Sequence, residues 1–99
     1  MKGSVVIYQI RGLSQAEKAK FRRELYGYTD KSNRGQYEYY RPGLLDEVPY
    51  RKLIRGVLLT RKRDKEKISD FMEKYEAEAH MRNVELTPED AEILSSHED

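Results

Sequence analysis

The sequence predicts a single small α+β domain. Residues 5–11 and 53–60 are rich in β-branched and other apolar residues, which is typical of central strands. Residues 65–79 carry the clearest amphipathic helix pattern of the chain. A chain of 99 residues is long enough for one modest core, so we expect one domain.

The first strand and the first helix have clear end signals. Residues 5–11 are predicted to form the first strand, which ends before a glycine. Ser14 and Glu17 have the spacing of a capping box, in which each side chain accepts the other residue's backbone N–H at a helix start. Gly27 can adopt the left-handed conformation that commonly follows a helix. We therefore predict a helix over 15–26.

The middle of the chain predicts two further strands. Residues 28–35 are polar and typical of turns, and a short strand is expected at 37–41. The apolar run 53–60 is predicted to form the next strand. In an alternative arrangement, residues 28–32 pair with 36–41 as an extra hairpin. That hairpin would add a strand without changing the fold class.

The last third of the chain predicts a helix, a weak strand and a terminal helical turn. Asp64 is expected to cap the second helix, over 65–79. A final strand is predicted at 82–86, where the apolar pattern is weak. A threonine-proline pair then gives a helix-start pattern for residues 88–94.

The resulting order is β-α-β-β-α-β. This order is typical of the ferredoxin-like fold, a four-stranded antiparallel sheet with two helices on one face. Residues 1–87 are predicted to form this domain, with the second sheet face left open. Residues 88–99 are predicted to add a short helical turn and a frayed acidic tail.

Composition excludes several classes of chemistry. The chain has no cysteine, which excludes disulfides, thiolate metal ligands and thiol nucleophiles, and its two histidines lie too far apart to predict a metal site. We expect no metal and no cofactor. The chain lacks a long apolar run, so we predict no membrane span and a cytoplasmic location. With 37% charged residues, its composition leans towards that of heat-adapted proteins.

Charge and tyrosine are distributed unevenly. Residues 1–63 hold fifteen of the nineteen Lys and Arg and six of the eighteen Asp and Glu, a balance of +9, whereas residues 64–99 balance at −8. Six of the eight tyrosines fall between positions 26 and 50, interleaved with arginines. Cations neutralise phosphates and flat rings stack on bases, so this part of the chain predicts a surface for single-stranded nucleic acid.

Nine residues are predicted to contact the nucleic acid: Arg34, Tyr37, Tyr39, Arg41, Arg51, Arg55, Arg61, Lys62 and Arg63. Tyr37, Tyr39 and Arg41 share one side of a strand, because side chains alternate. They either fill the core against the helices or face outward as a stacking surface. The basic run 61–63 precedes a helix start, which favours either an anion site or a solvated loop.

The sequence therefore predicts a non-enzymatic nucleic-acid-binding domain, for RNA or single-stranded DNA. RNA is favoured over duplex DNA because the second helix is acidic and unsuited to a DNA groove. One alternative is a protein-interaction module or homodimer. The other is a small nuclease or RNA-processing enzyme, with Mg²⁺ at Asp46 and Glu47 or His80 as a general base. No motif identifies catalytic residues.

Overall fold

The computed structural model describes residues 1–95 as an α+β domain with an antiparallel sheet and four α-helices. The elements are, in chain order, β1 Lys2–Gln9, α1 Gln15–Tyr26, β2 Tyr28–Ser32, β3 Tyr37–Arg41, α2 Leu44–Glu47, β4 Tyr50–Ile54, β5 Val57–Arg61, α3 Lys65–Lys74, β6 Glu78–Glu85 and α4 Pro88–Ser95. The main sheet has four strands in the order β4-β5-β1-β6, all antiparallel to their neighbours. Strands β2 and β3 form a separate two-stranded sheet. The α+β prediction is confirmed.

Helices α1 and α3 pack on the same face of the main sheet. Phe21 of α1 and Phe71 of α3 have ring centroids 5.2 Å apart. Val6 of β1 and Leu58 of β5 are fully buried in the same cluster. The expectation that both helices lie on one side of the sheet is confirmed.

Helix α1 begins and ends where the sequence predicts. The backbone N–H of Ser14 donates to the Glu17 carboxylate at 3.0 Å, and the backbone N–H of Glu17 donates to the Ser14 hydroxyl at 3.1 Å. At the other end, Gly27 donates its backbone N–H to the Arg23 carbonyl at 2.8 Å. The capping-box spacing therefore located the helix start correctly.

The opposite sheet face was predicted to be open, but α4 covers part of it. Leu94 of α4 is fully buried against Leu59 and Leu86. The helix predicted at 88–94 exists as Pro88–Ser95 and buries a second, smaller core. The sequence prediction missed this packing because a two-turn helix near a chain end shows little periodicity. The tail was predicted to fray over residues 95–99; Ser95 instead belongs to α4, and residues 96–99 lie outside the described residues.

The strand at 37–41 does not belong to the main sheet, which corrects the predicted four-stranded arrangement. It pairs with Tyr28–Ser32 instead, in the hairpin that the sequence left as an alternative. Neither strand of this hairpin carries an aliphatic residue that could be buried against α1 and α3. Its place in the main sheet is taken by Tyr50–Ile54.

The run 53–60 is a hairpin and not one strand. The chain reverses between Ile54 and Val57, with Gly56 at φ +80°, a conformation that side chains rarely adopt. Gly56 also accepts a hydrogen bond from the Tyr8 backbone N–H at 2.9 Å. The apolar residues on both sides of the glycine concealed the turn.

Helix α3 ends at Lys74, five residues before the predicted end at 79. Glu76 adopts φ +54°, and the backbone N–H of Ala77 donates to the Met72 carbonyl at 3.0 Å, which closes the helix end. Strand β6 then begins at Glu78, whereas the prediction began it at 82. A non-glycine residue in this conformation gives no sequence signal.

Asp64 precedes α3 as predicted, but its side chain does not cap the helix. Its carboxylate accepts a hydrogen bond from Arg61 Nε at 2.7 Å, and the aspartate is buried. The prediction that the Asp64 side chain caps α3 is therefore wrong. An arginine three residues earlier competes for the same carboxylate as a charged donor.

The two ends of the β2–β3 hairpin lie next to each other in the domain. A Cβ atom built on Gly43 would overlap the backbone nitrogen of Gly27 and lie 2.6 Å from the Leu25 carbonyl oxygen. The two glycines therefore allow a close approach of the chain segments on either side of the hairpin.

Candidate nucleic-acid interface

One face of the hairpin groups three tyrosines. Tyr28 lies opposite Arg41 and Asp30 lies opposite Tyr39 in the β2–β3 register, and Tyr37 is two residues from Tyr39. Because side chains alternate along a strand, these residues share one face. We call Tyr28, Tyr37, Tyr39 and Arg41 the tyrosine face.

The rings of the tyrosine face are accessible. Tyr37 is 52% exposed and Tyr39 is 51% exposed, whereas Tyr28 is 37% exposed. Of the two orientations that the sequence allowed, the outward one is present. These rings do not fill the core between the sheet and the helices.

Arginines accompany the rings. The Arg41 guanidinium carbon lies 6.0 Å from the centre of the Tyr39 ring, and the Arg23 carbon lies 5.7 Å from the centre of the Tyr28 ring. Arg41 also forms an exposed ion pair with Asp30 at 3.4 Å. Arg34 is exposed at the hairpin tip, with φ +58°. The face therefore combines accessible rings with cations.

Tyr40, on the other face, attaches the hairpin to the domain. Its hydroxyl donates to the Asp46 carboxylate at 2.7 Å and lies 3.2 Å from the Tyr26 carbonyl oxygen. The hydrogen bond to Asp46 raises the pKa of the Tyr40 hydroxyl. The same carboxylate accepts the Gly43 backbone N–H at 2.7 Å. Asp46 thus stabilises the hairpin junction, which gives it a structural role.

The other predicted contact residues are dispersed. Arg51 donates to Asp90 at 2.8 Å and to Glu89 at 3.3 Å, on the sheet face that α4 covers. Arg61 is paired with Asp64. Both guanidinium groups are engaged within the chain, so the basic and acidic parts of the sequence partly neutralise each other.

Arg55 and the basic run lie at opposite ends of one strand. Arg55 belongs to the turn before β5, whereas Lys62 and Arg63 follow β5 in a 3₁₀ turn. All three side chains are exposed. The nine predicted residues therefore do not form one surface, and Arg34, Tyr37, Tyr39 and Arg41 are the ones that share the hairpin.

A basic pocket lies between the end of β1, helix α1 and the β4–β5 turn. Its volume is about 390 Å³. Among residues 1–95, no aspartate or glutamate lines it, and five cationic side chains do: Arg11, Lys18, Arg22, Lys52 and Arg55. Lys52 Nζ lies 5.5 Å from the centre of the Tyr26 ring. We call this cavity the basic pocket.

Two tyrosine hydroxyls meet in the basic pocket. Tyr8 and Tyr26, which both line it, have hydroxyl oxygens 3.2 Å apart. Burial raises the pKa of the Tyr8 hydroxyl strongly, and the contact with Tyr26 adds to the effect, whereas the charges of Arg22 and Arg55 oppose it. Tyr8 therefore stays protonated and neutral at physiological pH.

Sequence reasoning predicted only Arg55 among the pocket cations. Lys18 and Arg22 are four residues apart and so lie on one face of α1, which is a signal that could have paired them. Arg11 lies in the loop between β1 and α1, and Lys52 lies in β4. Only the tertiary fold brings these segments together.

The enzyme alternative predicted from the sequence rests on Asp46 with Glu47, or on His80. Among residues 1–95, no group of three or more His, Asp or Glu side chains could hold a metal ion. His80 is exposed, and its Nε2 lies 3.8 Å from a carboxylate oxygen of Glu78. The carboxylate of Asp46 is already engaged by two donors.

Comparisons with protein-family models, with curated proteins and with solved structures gave no match to this chain. Within residues 1–95, no helix has both the length and the apolar character needed to span a membrane.

Proposed function

We propose that this protein binds single-stranded RNA, without catalysis, through the tyrosine face. The observation that carries the proposal is the pair Tyr37 and Tyr39, half-exposed on one face of the hairpin with Arg41 beside them. The two residues are separated by about 6.6 Å along a strand, at about 3.3 Å per residue. Their rings can therefore receive neighbouring unpaired bases.

The rest of the hairpin supports this proposal. Tyrosines that pack on a hydrophobic core become buried, because packing removes their apolar surface from water. The tyrosine face instead leaves three large rings in water, with Arg23 and Arg41 beside the rings and Arg34 exposed at the hairpin tip. Stacking is available in single strands and not in a paired duplex, which favours single-stranded RNA.

The test is a double substitution with a matched control. We expect Tyr37→Ala/Tyr39→Ala to weaken binding to a single-stranded oligouridylate by about 1–3 kcal/mol per stacked base. The control, Thr29→Ala/Glu38→Ala, changes the opposite face of the same hairpin. Thermal melts establish that both variants fold. Unchanged RNA affinity in a folded Tyr37→Ala/Tyr39→Ala variant would contradict the proposal.

A homodimer is the second candidate, and it rests on a different surface. Ile7 is 45% exposed, Leu53 49% and Ile54 65%, on or next to the part of the sheet that α4 leaves uncovered. Exposed apolar residues grouped in this way are typical of interaction sites. Light scattering of the wild type and of Ile54→Lys tests it, since a dimer should dissociate in the variant. A monomeric wild type at high concentration would exclude it.

We also infer a ferredoxin-like layout for the domain core. The strand order β4-β5-β1-β6, with α1 and α3 on one face, supports this layout. With β2 and β3 set aside, the remaining order is strand, helix, strand, strand, helix, strand, apart from the short α2 and the terminal α4. In this interpretation the tyrosine face is carried by an insertion.

A further inference from the structure

We propose that the basic pocket binds the terminal phosphate of a nucleotide. The proposal extends the RNA-binding function and rests on it for the source of the ligand, because the 5′ end of a bound RNA would supply the phosphate. A free nucleoside monophosphate carries the same chemical group. The two sources are separated by experiment below.

The charges of the pocket are uncompensated. Among residues 1–95, Lys18, Arg22 and Arg55 form no ion pair, and none of the residues that line the pocket is acidic. Arg11 donates to Gln9 at 3.0 Å, and Gln9 in turn donates to Glu78, so its charge is only indirectly balanced. Like charges held together destabilise a fold, and a bound anion removes that repulsion.

A terminal phosphate fits this charge better than an internal one. A phosphate monoester carries about −1.5 to −2 charges at neutral pH, whereas an internal diester carries one. Arginine side chains can bind phosphate oxygens with two donors at once. The excess of cations therefore selects the more highly charged terminal group.

The size of the pocket indicates one nucleotide. Its volume of about 390 Å³ lies near the lower end of the range of ~300–1,000 Å³ that is usual for ligand sites. The side chains of Phe21 and Ile10 contribute apolar walls beside the cations. A cleft of this kind accepts one terminal unit more easily than a strand that must enter and leave.

The tyrosine pair supplies a neutral donor. One of the two hydroxyl protons of Tyr8 and Tyr26 is used in their mutual hydrogen bond, and the other remains for a ligand. Tyr26 also connects the pocket to the hairpin, because its carbonyl oxygen lies 3.2 Å from the Tyr40 hydroxyl.

The experiment compares two forms of one oligouridylate, with a 5′-phosphate and with a 5′-hydroxyl. We expect the phosphorylated form to bind at least about tenfold more tightly, the effect of one charge-assisted hydrogen bond. Arg22→Gln/Arg55→Gln should abolish this preference. Lys20→Gln/Lys67→Gln, which removes the same charge from exposed positions outside the pocket lining, should retain it. Adenosine monophosphate and adenosine are titrated in parallel.

Each result decides between the two proposals. Equal binding of both RNA forms, with RNA affinity intact, overturns the pocket inference and leaves the proposed function in place. No RNA binding, with adenosine monophosphate but not adenosine bound and lost in Arg22→Gln/Arg55→Gln, supports the pocket for a free nucleotide and overturns the proposed function. A preference that the control variant loses equally overturns the inference, because bulk charge would then explain it.

Discussion

The Tyr40 hydroxyl and the Asp46 carboxylate, 2.7 Å apart, join the hairpin to the segment that precedes β4. Tyr40 is at the inner end of the hairpin, on the face opposite Tyr37 and Tyr39. This bond therefore orients the tyrosine face without occupying it.

We expect Tyr40→Phe to loosen the hairpin while leaving the main sheet intact. The substitution keeps the ring and removes the donor, so Asp46 loses one of its two partners. Amide hydrogen exchange should become faster in β2 and β3 and stay unchanged in β1 and β5. Uniform acceleration across all strands would contradict a local role.

The pKa of Tyr40 gives the same attachment a pH dependence. Because the hydrogen bond to Asp46 raises the pKa of the hydroxyl above 10.0, the attachment is fully present below pH 10 and is lost as the pH rises through the folded-state value. Above that pH a phenolate would face a carboxylate. After correction for the intrinsic pH dependence of exchange, the amide exchange rates of β2 and β3 should become equal in wild type and Tyr40→Phe above that pH.

Removing arginines from the hairpin should reduce the salt dependence of RNA binding. Each phosphate contact contributes a slope of about −0.7 in a plot of log affinity against log salt for single strands. We expect Arg34→Gln/Arg41→Gln to flatten the slope by up to about 1.4, for two lost contacts. The control, Lys67→Gln/Arg82→Gln, removes the same number of positive charges from exposed positions outside the hairpin. An unchanged slope in Arg34→Gln/Arg41→Gln would show that these two arginines do not contact RNA phosphates.

Leu94→Ala should destabilise the whole domain. Leu94 is fully buried against Leu59 and Leu86, and its truncation leaves a cavity. We expect a loss of about 2–5 kcal/mol in the free energy of unfolding, measured by urea denaturation. Glu92→Ala, an exposed position of the same helix, should change stability by less than about 0.5 kcal/mol. Equal stability of Leu94→Ala and wild type would show that α4 adds nothing to the fold.

Asp90 should make stability sensitive to acid. Its pKa is held below the ordinary value of 3.8, first by the hydrogen bond from the Thr87 backbone N–H and also by Arg51. The stability it contributes is present above pH 3.8 and is lost as the pH falls through the lower, folded-state value. The gap in melting temperature between wild type and Asp90→Asn should therefore narrow in acid. A constant gap between pH 7 and pH 2 would contradict this assignment.

The sequence predicted best where a local signal acted alone. Ser14, Glu17 and Gly27 bounded α1 to the residue, because capping satisfies backbone groups within a few positions. It predicted less well where a distant partner decided the outcome. The place in the main sheet predicted for 37–41 is taken by the strand at 50–54, which pairs with β5 across the turn at Gly56.

The candidate site also has one part that local sequence signals predicted and one part that they could not. Alternation along one strand placed Tyr37, Tyr39 and Arg41 together correctly. The basic pocket could not be predicted, because its cations come from three separated parts of the chain. Arg51 was predicted as a contact residue, and its pairing with Asp90 could not be predicted since it spans 39 positions.

The close approach of Gly27 and Gly43 makes the hairpin a detachable module. Because the chain segments on either side of it already touch, residues 28–42 could be removed and the ends joined with little displacement of the core. We therefore expect the main sheet and its helices to fold without the hairpin. The surface that we propose to recognise RNA can therefore lengthen, shorten or change its side chains in evolution while the sheet and its helices stay as they are.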